Sequence, residues 1–205
     1  MAKNIKIYGI ERSGTNFLEV LLKKNANVQV FTNTFGWKHG KIVPTEQWLS
    51  NPHTKKGINI GKAKQVKELY FVCLIKNPYT WQQSIERWKK DKDYDFRAEY
   101  KRYNELYLHY WNCVQNPPKG YKKGVICRYE DLLTKPKRKI ISIFNRFDIP
   151  YYDDFYIPDK VYLSKNWKPD RKDFYLNPAN SGANIEAINR ILDRKIFKLY
   201  HYKRL

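Results

Sequence analysis

The chain has 205 residues, the size of one domain, and 42% of them are apolar. Six Trp, seventeen Tyr and ten Phe supply bulk for a sizeable core, which excludes wholesale disorder. Forty Lys and Arg against twenty Asp and Glu leave a net charge of +20, which points to an anionic partner or substrate and says nothing about the fold.

The longest apolar run, Leu69 to Ile75, is far too short to cross a bilayer, and the first residues carry no uninterrupted apolar stretch of the secretory kind. Cys73, Cys113 and Cys127 are odd in number, widely spaced and without a CxxC pair. That usage argues for a reducing compartment and against a disulfide framework or a zinc site. One soluble, basic domain spanning residues 1–205 and working in the cytoplasm is the expectation.

Taken in chain order, Lys3 to Gly9 alternates polar and apolar and predicts a strand that ends at a glycine. Asn16 to Lys24 carries Phe17, Leu18, Leu21 and Leu22 at helical spacing, so the chain opens as strand, glycine-bearing turn, helix. Val28 to Phe31 reads as a second strand, and Phe35 to Val43 as a strand end followed by loop. Pro44, Pro52, Gly57 and Gly61 break every pattern up to Gln65, leaving mostly loop with one short helix.

Glu68 to Ile75 is apolar at nearly every position, as a parallel strand buried on both faces requires. Asn77-Pro78 ends it, and the next helix places Trp81, Ile85 and Trp88 on one side. Asp95 to Val114 sets Tyr100, Tyr103, Tyr107 and Tyr110 in a helical stripe whose expected role is core packing. Gly124 to Arg128 reads as a buried strand, Thr134 as the cap of a helix with Pro136 near its start, and Asn184 to Tyr200 as a final helix. Strands alternating with helices predict an α/β fold: three α/β/α layers around a mainly parallel sheet, with a P-loop-like phosphate-binding turn.

That turn is Gly9-Ile10-Glu11-Arg12-Ser13-Gly14-Thr15-Asn16, with the G-x-x-x-x-G spacing of a loop that offers backbone N–H groups and a helix N-terminus to an anion. Nucleoside-triphosphate loops follow the second glycine with Lys and then Ser or Thr, for the phosphates and Mg²⁺. Here Thr15 and Asn16 stand there, and the cation, Arg12, precedes the glycine. The loop reads as built for an anion without metal.

IYGIERSGTNFL resembles the 5′-phosphosulfate loop of the sulfotransferases, whose core runs roughly Lys/Arg-Ser/Thr-Gly-Thr/Ser-Thr/Ser-x-Leu/Met. A second signature of that family, Arg-Asn/Asp-Pro at a strand end with Ser eight residues after the Arg, is similar to Lys76-Asn77-Pro78 and Ser84. A third, Tyr-Glu-Asp-Leu before a basic helix, is similar to Tyr129-Glu130-Asp131-Leu132 and the stretch after it. The three lie in family order over residues 5 to about 147.

The resemblance implies 3′-phosphoadenosine 5′-phosphosulfate (PAPS) as donor, 3′,5′-adenosine bisphosphate as product, no metal, and in-line sulfuryl transfer to a hydroxyl or amine. It implies Arg12 on the 5′-phosphosulfate and leaving phosphate, and Ser13, Gly14, Thr15 and Asn16 around the 5′-phosphate. Lys76 and Ser84 would hold the 3′-phosphate, Tyr129 the adenine, and Arg171-Lys172 a basic stretch closing over the 3′-phosphate. Asn16 departs from the family's Thr/Ser, and Lys76 keeps the charge of the family's Arg without its bidentate fork.

Lys38-His39 resembles a Lys-x-His segment of the cytosolic enzymes and offers His39 as general base, with Glu11 as the carboxylate alternative. Adjacent residues on a strand point to opposite faces, so Lys38 and His39 can share a site only if their segment is loop. The plain alternatives are core packing for Tyr129, an unpaired helix residue for Ser84 and a backbone-bonded loop histidine for His39. Two other functions compete: a basic nucleic-acid-binding protein, which the scattered lysines disfavour, and a P-loop kinase, which the missing Lys-Ser/Thr pair disfavours. The acceptor is left open among a glycan, an acidic small molecule and a protein.

Overall fold

Four strands form one all-parallel sheet in the order β2-β1-β3-β4: β1 (Lys3–Gly9), β2 (Val28–Phe31), β3 (Leu69–Ile75) and β4 (Tyr121–Arg128). The computed structural model describes residues 2–50, 60–89, 94–158 and 175–205. β3 is central, paired with β1 from Asn4↔Leu69 to Gly9↔Leu74, and every one of its residues is buried. Its unbroken apolar run follows from that placement, because both faces of a central parallel strand are covered.

The two faces hold separate cores. Tyr8, Phe71, Cys73 and Ile75 point into one, and Ile5, Ile7, Val72 and Leu74 into the other, as the two-residue period of a strand demands. The first face is covered by α4 (Pro78–Lys89) and α5 (Phe96–Gln115), with two short C-terminal helices, α8 (Ile185–Ile191) and α9 (Arg194–Tyr200). The second is covered by α1 (Thr15–Asn25), α6 (Tyr129–Thr134) and α7 (Pro136–Arg146). This is an α/β architecture with helices on both sides of the sheet. No helix among the described residues is long and apolar enough to cross a membrane, and Cys73, Cys113 and Cys127 are free and buried.

Several expected elements differ. The segment from Phe35 to Val43 contains no strand; it turns through Phe35 and Gly36, both at positive φ, and stays irregular up to α2 (Thr45–Ser50). A further short helix, α3 (Ile60–Lys64), follows where one was expected in all. Trp81 and Ile85 are fully buried, but Trp88 is 44% exposed, because α4 runs past the edge of the core before it ends. Thr134 does not cap α7. It closes α6, its hydroxyl donating to the Glu130 carbonyl, and Lys135 precedes Pro136. The single C-terminal helix is two: Asp193 accepts from the Lys195 N–H at 2.8 Å and starts α9 afresh.

Candidate functional site

All three signature segments leave the sheet at the carboxyl ends of its strands: the turn after β1, Lys76 after β3 and Tyr129 after β4. From β1 the chain moves outward to β2, then returns to place β3 on the other side. The crevice between β1 and β3 is therefore the topological switch point, where open parallel sheets bind ligands.

The turn is held by close backbone packing. The Gly9 N–H donates to the Lys38 carbonyl at 2.8 Å, and a Cβ on Gly9 would lie 2.7 Å from Ser13 Oγ and 2.8 Å from the Leu74 oxygen. Arg12 adopts φ 63° and is exposed; Gly14 adopts φ 96° and starts α1 without a side-chain cap. A Cβ on Gly14 would lie 2.5 Å from two carbons of the Tyr129 ring, so only glycine fits both that dihedral and that ring. Ser13 is fully buried, and its Oγ has no hydrogen-bond partner among the described residues. Thr15 is buried and Asn16 half-buried at the start of the helix.

Lys76 reaches the same place from β3. Its Nζ lies 2.7 Å from Ser84 Oγ and 3.4 Å from the Arg12 carbonyl, with the rings of Tyr129 and Tyr175 at 5.0 and 4.3 Å. Ser84 Oγ in turn donates to the Thr80 carbonyl. The spacing of eight puts Ser84 on the second turn of α4, facing back to the strand end. Burial pulls the Lys76 ammonium down to about 7; Glu130 opposes this, and Arg12 and Arg87 add to it. Glu130 accepts from the Asn77 N–H at 2.9 Å and the Tyr202 hydroxyl at 3.0 Å, and burial raises its pKa.

Lys38 and His39 lie in a turn, so both side chains do reach the β1–α1 turn. Lys38 Nζ donates to Asn16 Oδ1 at 2.7 Å, and His39 Nδ1 lies 2.5 Å from the Gly9 carbonyl. Burial lowers the His39 pKa, and Lys38 and Arg102 lower it further against the opposing pull of Gly9 and Glu11. Glu11, the other base candidate, is buried and engaged: Arg102 Nη2 donates to its Oε1 at 2.9 Å, and Nη1 lies 2.7 Å from its Oε2.

Comparison with protein-family models, curated proteins and solved structures finds no match.

One helix supports most of that geometry. From α5, Tyr100 and Tyr103 donate their hydroxyls to the Pro78 and Lys76 carbonyls, Tyr107 accepts from the Lys76 N–H at 2.9 Å, and Tyr110 donates to the Gly40 carbonyl at 3.0 Å. Arg102 adds a bond to the His39 carbonyl at 2.8 Å, and Trp81 of α4 one to the Glu11 carbonyl at 2.7 Å. The tyrosine stripe is core, as its period implies, and it is also the frame of the crevice. Arg102 is a contributor that sequence reasoning missed; no local pattern ties it to Glu11, ninety-one residues away. Arg171 and Lys172 lie outside the described residues, as does His53. His109 bonds the Ile42 N–H, and His201 ends α9 exposed.

Proposed function

We propose that the chain is a PAPS-dependent sulfotransferase, transferring a sulfuryl group to a hydroxyl or amine without a metal. The observation that carries this reading is the meeting of three distant segments at the β1/β3 switch point. Lys76 Nζ lies within reach of Arg12 in the turn, Ser84 of α4 and the Tyr129 ring of α6. A tight turn with two obligatory glycines, opening on an uncapped helix start, suits a P-loop-like cradle for the 5′-phosphate. The three buried free thiols fit a reducing compartment such as the cytoplasm.

In this reading the donor supplies the activated sulfuryl group, and the chain binds, orients and moves a proton. The backbone of Ser13, Gly14 and Thr15 holds the 5′-phosphate, and Arg12 stabilises charge on the leaving phosphate. Lys76 and Ser84, already hydrogen-bonded to one another, receive the 3′-phosphate. Tyr129 walls Gly14 and Lys76, beside the adenine. Asn16 works through Lys38, keeping that cation over the turn rather than touching the donor itself. His39 spends Nδ1–H on the Gly9 carbonyl, which leaves the Nε2 lone pair for the acceptor's proton. Its lowered pKa keeps the ring neutral at physiological pH, while Glu11 is committed to Arg102.

The test is a pair of measurements. With EDTA present, 3′,5′-adenosine bisphosphate should raise the melting temperature more than ATP-Mg²⁺ does without it. Labelled PAPS should then transfer label within a panel of glycans, acidic small molecules and proteins. Stabilisation by ATP-Mg²⁺ that EDTA abolishes, with none from the bisphosphate, would instead make the protein a metal-dependent phosphotransferase.

A further inference from the structure

Lys76 is 2% exposed, and no carboxylate of the described residues forms an ion pair with it. Its amine meets a hydroxyl, a carbonyl and two aromatic rings. Among the described residues, the charged and titratable groups facing it are Arg12 from the turn, Arg87 from α4, Tyr129 and Glu130 from α6, and Tyr175. The one acid among them, Glu130, is held by Asn77 and Tyr202. An ammonium in such surroundings pays desolvation with only the longer-range pull of Glu130, and no ion pair among the described residues, to offset it. A phosphate dianion placed beside it supplies a counter-ion.

We propose that above neutral pH the ligand-free protein carries Lys76 mainly as a neutral amine, and that a phosphate monoester dianion binding beside it draws a proton from solvent onto that amine. Occupancy of the crevice is thereby coupled to pH. The inference rests on the reading that Lys76 and Ser84 take the 3′-phosphate, and it depends on this chain having Lys where an Arg could never lose its proton. Above neutrality that proton is taken from solvent at increasing cost, so affinity falls with pH while the ligand's own charge stays constant.

The experiment is calorimetric titration of 3′,5′-adenosine bisphosphate into the full chain at pH 8, in buffers of different ionisation enthalpy. At that pH the phosphates are fully ionised, so proton uptake reports the protein. An amine titrating at about 7 should take up about 0.9 proton per site. Affinity should fall by about tenfold per pH unit between pH 8 and 9. Adenosine 5′-phosphate, which lacks the 3′-phosphate, should bind without uptake. Lys76→Arg should bind the bisphosphate with no uptake and a flat profile. A second readout needs no nucleotide: the ε-carbon resonance of Lys76, assigned by its loss in Lys76→Arg, should titrate near neutrality. Binding of the bisphosphate with negligible uptake, or an ε-carbon that titrates in the ordinary lysine range, overturns this inference and leaves the sulfotransferase reading standing. Failure of the bisphosphate to bind at any pH overturns both.

Discussion

Replacing Gly14 with Ala should be among the most damaging single-methyl changes in the molecule. The residue sits at φ 96°, and its new Cβ would lie 2.5 Å from two atoms of the Tyr129 ring. The left-handed backbone costs about 1 kcal/mol for a residue with a Cβ. Forcing that ring aside costs about 1–3 kcal/mol, since Tyr129 is 7% exposed and wedged between the turn, Lys76 and Tyr175. The sum is about 2–4 kcal/mol, which for a chain of this length lowers the melting temperature by roughly 4–16 °C. Thermal and urea melts of Gly14→Ala, Tyr129→Leu and the double variant separate the two causes. Without the ring the steric part vanishes and the dihedral strain stays, so the double variant should be more stable than additivity predicts by about 1–3 kcal/mol. A Gly14→Ala protein that melts with wild type, or strictly additive losses, would refute the account of the turn.

Arg102→Ala should destabilise by about 2–3 kcal/mol, because it strands the buried Glu11; the figure is below that of a fully buried pair since the Arg102 side chain keeps 30% exposure. Pairing it with Glu11→Gln should recover part of the loss in the same melts. Tyr107→Phe removes the acceptor of the buried Lys76 N–H and should cost about 1–3 kcal/mol, read by denaturant unfolding. Lys76 binds its proton more weakly in the folded chain, at about 7, than in the unfolded chain, near 10.4. The unfolded state therefore holds the extra proton between those values, and wild-type stability should rise relative to Lys76→Met as pH goes from 7 to 10. A gap in melting temperature that stays constant over that range would show that Lys76 remains charged. If the proposed sulfotransferase chemistry holds, His39→Gln should remove the acid limb of the turnover–pH profile, a limb placed below 6.5 by the burial of the ring, and leave bisphosphate affinity near wild type.

β3 was legible because it is covered on both faces, so Leu69–Ile75 announces itself by apolarity alone, whereas the edge strands β2 and β4 are only partly covered. The β1–α1 turn was legible because glycine spacing reports a backbone requirement, which Gly9 and Gly14 meet. α6 was not, for it starts directly at the end of β4, without a turn residue or cap to mark the change. The break at Leu192–Asp193 did carry a signal, an Asp positioned to cap α9, outweighed by the apolar period running through it. Asn16 meeting Lys38, Glu11 meeting Arg102 and Tyr175 meeting Lys76 are pairings that only the tertiary fold creates. The tyrosine hydroxyls of α5 belong with them: a stripe reveals which side is buried, not what each oxygen touches.

Those hydroxyls have a consequence for how such a chain can change. Tyr100, Tyr103, Tyr107 and Tyr110 all grip peptide groups, as do Arg102 at His39 and Trp81 at Glu11. A peptide group is the same whatever side chain hangs from it, so these bonds do not register what stands at positions 39, 40, 76 or 78; position 11 is the exception, because Arg102 also grips the Glu11 carboxylate. Substitution along the rim then alters charge and reach without loosening the walls. The side chains at those positions are thereby less tied to the shape of the walls than the tyrosines that hold them.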